Sequence, residues 1–389
     1  MKKSVLVVSL FLVLFQSCKK IDQKNQVFNP TPVKEIVLDS LRHPWSISFL
    51  SEDEVLITEK DGDLIKANLK DKSRIKIKGF PSDLVDSIRV KDFRDNSGLF
   101  EVVQHPNFKS NQLIYISYAA ENSNGTTTKI IRAKLNDDSL TNIETIFVAD
   151  PYRFDLFHYG GGMVFGKDSK LYFTIGERYY NENEQPTLPI AQDLDDKRGK
   201  IHRLNDDGSI PTDNPDFGNE KISSIYATGI RAAQGIALDT LTGMLWFSEH
   251  GSVQGDELNL LQKGANYGWP IKTTGKYRNS NYEPPIMENV EFTAPQHYWL
   301  QTIAPTGLCI YRGSEFPAWQ GDIILAGLSR GSLWRIKLDG TTPIHVEELF
   351  VNDRVRSRKV AQSPNGKLYM LTDEPNGKLI RIKPAAKDD

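Results

Sequence analysis

The chain holds only two cysteines in 389 residues, Cys18 and Cys309. That excludes a disulfide scaffold. Neither adjacent histidines nor paired thiols occur, which argues against a zinc site. An excess of one charge is also missing. Lys and Arg number 48 against 50 Asp and Glu, for a net charge of -2. Both signs are mixed along the chain, so no nucleic-acid footprint is present. The basic piece Asp71 to Lys78 alternates with Ile75 and Ile77 and suits an exposed strand better than a binding patch. No sustained helical periodicity appears, and the apolar run Val5 to Phe15 is too short to span a bilayer.

That run follows Lys2 and Lys3 and ends Phe15-Gln16-Ser17-Cys18. The pattern is that of a signal peptide closing on a lipobox, so residues 1-17 are read as a lipoprotein signal peptide. Cys18 would be acylated and become the mature N-terminus. Residues 18-34, polar and carrying Pro30 and Pro32, read as a lipidated tether to a folded domain over 35-385. The expected location is the bacterial envelope outside the cytoplasm, most simply the outer membrane, with membrane contact only through the lipid on Cys18. Cys309 is then left without a partner. It lies in the apolar stretch Gly307 to Tyr311 and is expected to be a small buried hydrophobe.

What the chain does contain is repetition. Residues 45-60, 161-178, 235-250 and 359-376 share one pattern. Each has a short apolar strand, a polar turn, and a second strand ending in Thr or Ser with an acidic residue. Residues 98-119 form a related unit. Alternation in Leu171 to Ile175 and Leu368 to Thr372 marks β-strands, and Ser363-Pro364-Asn365-Gly366 supplies a tight reversal. A unit recurring about every 50–70 residues favours four-stranded propeller blades. The length then predicts an all-β, six-bladed β-propeller, with an N-terminal strand and the last strand sharing one blade. Loops at one end of the blades converge on a central channel and are where site residues are sought.

Four constellations there carry chemistry. His158 precedes three glycines, Gly160 to Gly162 following Tyr159, and Glu177 ends the next strand, where a carboxylate can orient an imidazole base. Glu249 to Asn259 and Gly264 to Pro270 combine carboxylates, glycine loops and Asn, hard oxygen donors that suit calcium. Arg354, Arg356 and Arg358 alternate, which on a strand would put three guanidinium groups on one face for carboxylates or phosphates. Arg231 sits in an apolar stretch and requires an anionic partner. Each also has an ordinary structural reading: a hydrogen-bonded surface His, a capped turn between blades, a solvated edge strand.

Taken together, these segments resemble the soluble pyrroloquinoline-quinone (PQQ) dependent glucose and aldose sugar dehydrogenases. The resemblance runs from His43 to Ile382 and rests on HPWSISFL, GLFEVVQHPNF, HYGGGMVFGKDSKLYFTIGER, YATGIRAAQGIAL and EHGSVQGDELNLLQKGANYGWP, among others. It implies that His158 is the base for the sugar C1 hydroxyl and that Glu177, where Asp is usual, orients it. It implies PQQ contacts from Asn96, Arg231, Tyr277, Arg330, Arg356 and Arg358, with Arg354 as the alternative register. It implies calcium held through Gly251 and Ser252, and a further calcium site at Glu257 and Tyr267. The implied partners are a sugar and a periplasmic or membrane electron acceptor. The chain departs from the family pattern at Asn96, Gly162, Ala232 and Ser329, where Gln, Arg, Asn and Lys are usual. Two competing readings follow: a cofactor-free carbohydrate-binding propeller, and a calcium-dependent propeller lactonase using the acidic loops as a Lewis-acid site.

Overall fold

The computed structural model describes residues 30–85, 96–178, 181–184, 186–218, 222–329 and 333–386. The expected signal peptide and Cys18 lie outside them, as does Arg330. Among the described residues, 24 strands form six four-stranded antiparallel sheets, each a blade. Their first strands are Pro44–Phe49, Leu99–Gln104, Gly160–Phe165, Ala233–Leu238, Pro305–Ile310 and Ser357–Gln362. These six stand side by side around one axis, the sixth packing against the first.

The repeats noted above are the first two strands of five blades. The sixth blade is completed from the other end of the chain, as expected. Strand Pro32–Leu41 pairs with Gly377–Pro384. It begins earlier than the expected domain boundary: Pro32, Val33 and Lys34 already pair with Pro384, Lys383 and Ile382. The strand Arg74–Lys76 is exposed throughout, as its alternating charges suggested.

Second strands such as Leu171–Ile175 and Leu368–Thr372 are buried along their whole length. The reason is that both faces of a blade are covered by its neighbours. Six apolar cores result, each shared by two adjacent blades: Leu56 and Leu64 meet Leu99 and Ile116, for instance, and Phe173 and Leu171 meet Ile130.

The Thr or Ser ending each repeat has a specific task. Its hydroxyl donates to a carbonyl on the first strand of the next blade. Thr58 reaches Phe100 at 2.6 Å, Ser117 reaches Gly161 at 2.6 Å, Thr174 reaches Ala233 at 2.8 Å and Ser248 reaches Thr306 at 2.6 Å. The fifth blade has Ala326 at this place, and Thr306 reaches Ser357 instead at 3.3 Å. The acidic residue that follows accepts from the loop entering its own blade, as Glu59 does from the Arg42 amide at 2.8 Å.

Away from the loops just described, the channel widens to a cavity of about 510 Å³ walled by all six first strands. Cys309 borders this cavity and is half-buried rather than enclosed, because its strand forms the channel wall. Lys359 reaches across the first blade to Glu101 of the second at 2.6 Å, and Ser46 donates to the same carboxylate. Both ions are buried, so removing one partner strands the other charge. We expect Lys359→Met to lower unfolding stability by about 3 kcal/mol, and the added change Glu101→Leu to restore most of it. Urea midpoints of the two variants check this.

Candidate active site

The loops that enter the first strands and those that leave the second strands gather on one face. His158 precedes Gly160–Phe165, Arg231 precedes Ala233–Leu238, and Glu177 follows Leu171–Ile175. The Glu177 amide donates to the Arg231 carbonyl at 2.9 Å, which joins two of these loops directly.

His158 Nδ1 lies 2.6 Å from Glu177 Oε1. With Nδ1–H donated to the carboxylate, the lone pair is on Nε2. Burial and then the charge of Arg231 hold the imidazole pKa below its ordinary value, while Glu177 and Glu182 pull it up. The neutral ring is therefore the dominant form near neutral pH, which is the form a base requires. Its backbone is left-handed, φ 47°, an uncommon state for a residue with a side chain. The chain can pass there because Gly176 has no Cβ; one would lie 2.0 Å from the His158 carbonyl.

Arg231 is buried, with its guanidinium 5.1 Å over the Trp269 ring. Nη1 donates to the Gly251 carbonyl at 2.8 Å and the His250 carbonyl at 3.2 Å. Arg358 is buried as well, reaching Gln234 at 2.7 Å and Asp373 at 2.7 Å. Arg356 shares the same Asp373 oxygen at 3.0 Å but stays half exposed. The three alternating arginines do not share a strand face, because the strand starts only at Ser357. Arg354 precedes it in an exposed turn with φ 49°.

His250 stands where these groups meet. Burial lowers its pKa to about 3, with Arg231, His158 and Arg358 each adding to the fall. His158, Arg231 and Arg358 therefore surround one space, and Asp373 ties Arg356 to it. Asn96 is adjacent, its amide donating to the carbonyl of Leu156, two residues before His158. Tyr277 packs on Trp269 and Tyr282 and donates to the Pro270 carbonyl at 2.5 Å. Gly162 has no room for a larger side chain, since a Cβ would lie 2.6 Å from the Gln234 carbonyl.

The residues expected to hold cations fall beside this space. Ser252 donates to Glu182 at 2.7 Å, and its carbonyl accepts from Arg278 at 3.2 Å. Glu257 and Glu249 flank a small cavity of about 20 Å³ bordered by Gly229 and Tyr267. Burial pushes both carboxyls up, and for Glu249 the neighbouring Glu257 adds to it. Tyr267 spends its hydroxyl on the Leu260 carbonyl at 2.6 Å, so only its ring and backbone face this cavity. Among the described residues no three His, Cys, Asp or Glu side chains converge as a metal cluster. A cation here would rely on carbonyl oxygens as well, the donor type calcium accepts.

Glu182, His250, Arg278, Asp373 and Arg178 were not singled out from sequence. Glu249 and Asp373 had a usable signal: each follows the Ser or Thr that ends a second strand. Glu182 had none, since it lies in a long connection without a repeat.

An imidazole–carboxylate pair among buried guanidinium groups, on one face of a six-bladed propeller, is an oxidoreductase-type site rather than a hydrolase triad. The chain belongs to the glucose/sorbosone dehydrogenase family, whose model matches residues 41–381. It is 32% identical to the aldose sugar dehydrogenase of Escherichia coli K12 over 357 residues, covering 90% of this chain and 92% of that one. It is 30% identical to quinoprotein glucose dehydrogenase B of Acinetobacter calcoaceticus over 417 residues, covering 87% and 85%. A glucose dehydrogenase crystal structure superimposes with a TM-score of 0.81 at 32% identity, over 91% of this chain and all of the other.

Glu177 raises the His158 pKa through its hydrogen bond and charge, so Glu177→Gln should lower it further. NMR titration of the imidazole is expected to give a midpoint below about 6.5 in the native protein. The variant's midpoint should be lower again.

Proposed function

We propose that this protein oxidises aldose sugars at C1 with PQQ as its cofactor and calcium as its ion. The observation that carries the proposal is a set of buried donors without acceptors. Among the described residues, Arg231 Nε, Arg358 Nε and His250 Nε2 are all buried and unpaired. A buried donor left unpaired costs about 1–3 kcal/mol. Three around one space suit a planar ligand rich in carboxylate and carbonyl oxygen, and PQQ is such a ligand. The residues present therefore fit it.

Arg231, Arg356 and Arg358 would bind its carboxylates, with Asn96 and Tyr277 at the edges and Arg330 as a further cation. When bound, PQQ supplies the quinone carbonyl carbon that accepts hydride from C1 of the sugar. His158 Nε2 takes the proton of the C1 hydroxyl. Glu177 holds Nδ1–H in place and balances the charge that forms on the ring. Trp269, Tyr277 and Tyr282 give the site an apolar wall that sheds water. Gly251 and Ser252 offer carbonyls to a cofactor-linked calcium, and Glu257 with Glu249 offers carboxylates to a second ion. Electrons then pass to a periplasmic or membrane acceptor, with the protein held at the envelope by the lipid on Cys18.

Purified protein titrated with PQQ and calcium is expected to bind the cofactor stoichiometrically and to reduce a dye with aldoses. His158→Ala should bind PQQ normally and lose about 10²–10⁴-fold in kcat. Sugar binding that ignores PQQ, with no dye reduction, would establish the cofactor-free binding propeller instead. Hydrolysis of lactones that stops on chelation would establish the lactonase.

Calcium has its own readout. Chelated protein should gain melting temperature when calcium is returned, and Glu257→Gln should remove most of the gain. At a hundredfold excess over Kd the added stability is about 2.7 kcal/mol.

A further inference from the structure

We infer that Arg178 is a positioning residue that sets the orientation of His158; the inference rests on His158 being the base. Arg178 is only 1% exposed. Its Nε donates to the Phe157 carbonyl at 2.9 Å. Nη1 donates to the Thr126 carbonyl at 2.8 Å and Nη2 to the Thr126 hydroxyl at 2.9 Å. Nη2 also donates to the Asp155 carbonyl. The guanidinium plane lies 4.0 Å over the Tyr159 ring.

These contacts bracket His158 on both sides. The Phe157 carbonyl belongs to the peptide that leads into His158, and Tyr159 is the residue after it. Arg178 itself follows Glu177, the partner of His158 Nδ1. One side chain thus ties together the two chain segments that carry the pair. Both segments are in left-handed backbone conformations at the critical points, φ 47° at His158 and φ 59° at Arg178. Such residues persist only where the surroundings over-determine them. The clamp extends to the second blade. Thr126 exchanges backbone hydrogen bonds with Arg153, and its hydroxyl lies 2.8 Å from that of Tyr159. Gly125 allows this approach, since a Cβ would lie 2.3 Å from the Arg153 carbonyl.

The chemistry of the contacts separates positioning from mere packing. Among the described residues, Arg178 meets carbonyl and hydroxyl oxygens and an aromatic face, but no carboxylate. Burying a guanidinium on dipoles alone is an expensive way to fill space. An aliphatic side chain would fill it at lower cost. What only the planar five-donor fork achieves is to fix three oxygens from two loops in one plane. The fixed loop delivers the imidazole, and small displacements of a base are strongly felt in turnover.

The test compares full-length Arg178→Ala, Arg178→Lys and native protein, each loaded with PQQ and calcium. Arg178→Ala should lose about 100-fold in kcat. PQQ binding and the sugar KM should move less than about threefold, because the binding arginines remain. Guanidinium ion at low millimolar concentration should recover part of kcat in Arg178→Ala and none in His158→Ala. Arg178→Lys keeps the charge but not the fork, and should stay at least about tenfold impaired. Should Arg178→Ala fail to fold, the lysine variant decides the matter alone. NMR of the labelled His158 ring, without cofactor or substrate, is the independent readout: its shifts and midpoint should move in either variant. An unmoved ring, or native kcat in a folded variant, would overturn the inference. If native protein reduces no dye, the dehydrogenase reading fails, while the ring measurement still decides the positioning.

Discussion

The structure depends on closure of a ring. Each blade buries both faces only because a neighbour covers them, so an open series of blades would expose apolar surface at both ends. Closure is made by main-chain pairing of Pro32–Leu41 with Gly377–Pro384, which joins the two ends of the domain within one sheet. The hydroxyl bonds from Thr58, Ser117, Thr174 and Ser248 then fix each first strand against the next blade. Individually such bonds contribute about 0.5–1.5 kcal/mol. Their larger effect is geometric, since they set the heights of the strands whose entry loops carry His158, Arg231 and Arg358.

The site works against the solvent rather than with it. For His158, Arg231 and His250, burial is the leading influence on protonation, ahead of any single neighbour. Desolvation disfavours charge on the imidazoles and keeps them neutral. Glu177 opposes this for His158 alone, because its hydrogen bond and charge favour a proton there. The ring beside it, His250, has no comparable carboxylate and is held far lower. Two histidines within one cluster are thus driven apart in basicity. That difference marks His158 as the one poised to accept a proton and return it.

Much of the fold was legible because repetition is a property of the chain itself. The Thr-or-Ser endings, the turn signals and the strand alternation all recur, and each recurrence maps onto one blade. The boundary at Pro32 was not legible, since Pro32 to Lys34 become a strand only through a partner some 350 residues away. The site was legible where a residue abuts a repeat: His158, Glu177, Arg231 and Arg358 all lie at strand ends. It was illegible where the contact is made across long connections, as for Glu182 with Ser252 and Arg278. The arginine row misled because alternation in sequence was read as a strand that starts three residues later than Arg354. Cys309 misled because an apolar stretch was taken as core, while the inner strands of a propeller face a channel.

The unpaired buried donors link stability to function. Arg231 Nε, Arg358 Nε and His250 Nε2 together forgo several kcal/mol, at about 1–3 kcal/mol each. Folded proteins hold only about 5–15 kcal/mol in total. A deficit of that size in one cluster is tolerable only if the rest of the ring is well packed, and the six interblade cores provide that packing. The same deficit is what a carboxylate-bearing ligand relieves on binding. Most of its affinity then comes from groups already fixed and already dehydrated, so little ordering opposes association. A surface arginine row would bind the same charges far more weakly, because water and mobile side chains would compete. The burial that makes this site unfavourable when unpaired is therefore the source of its selectivity for a planar polyanion over a neutral sugar alone.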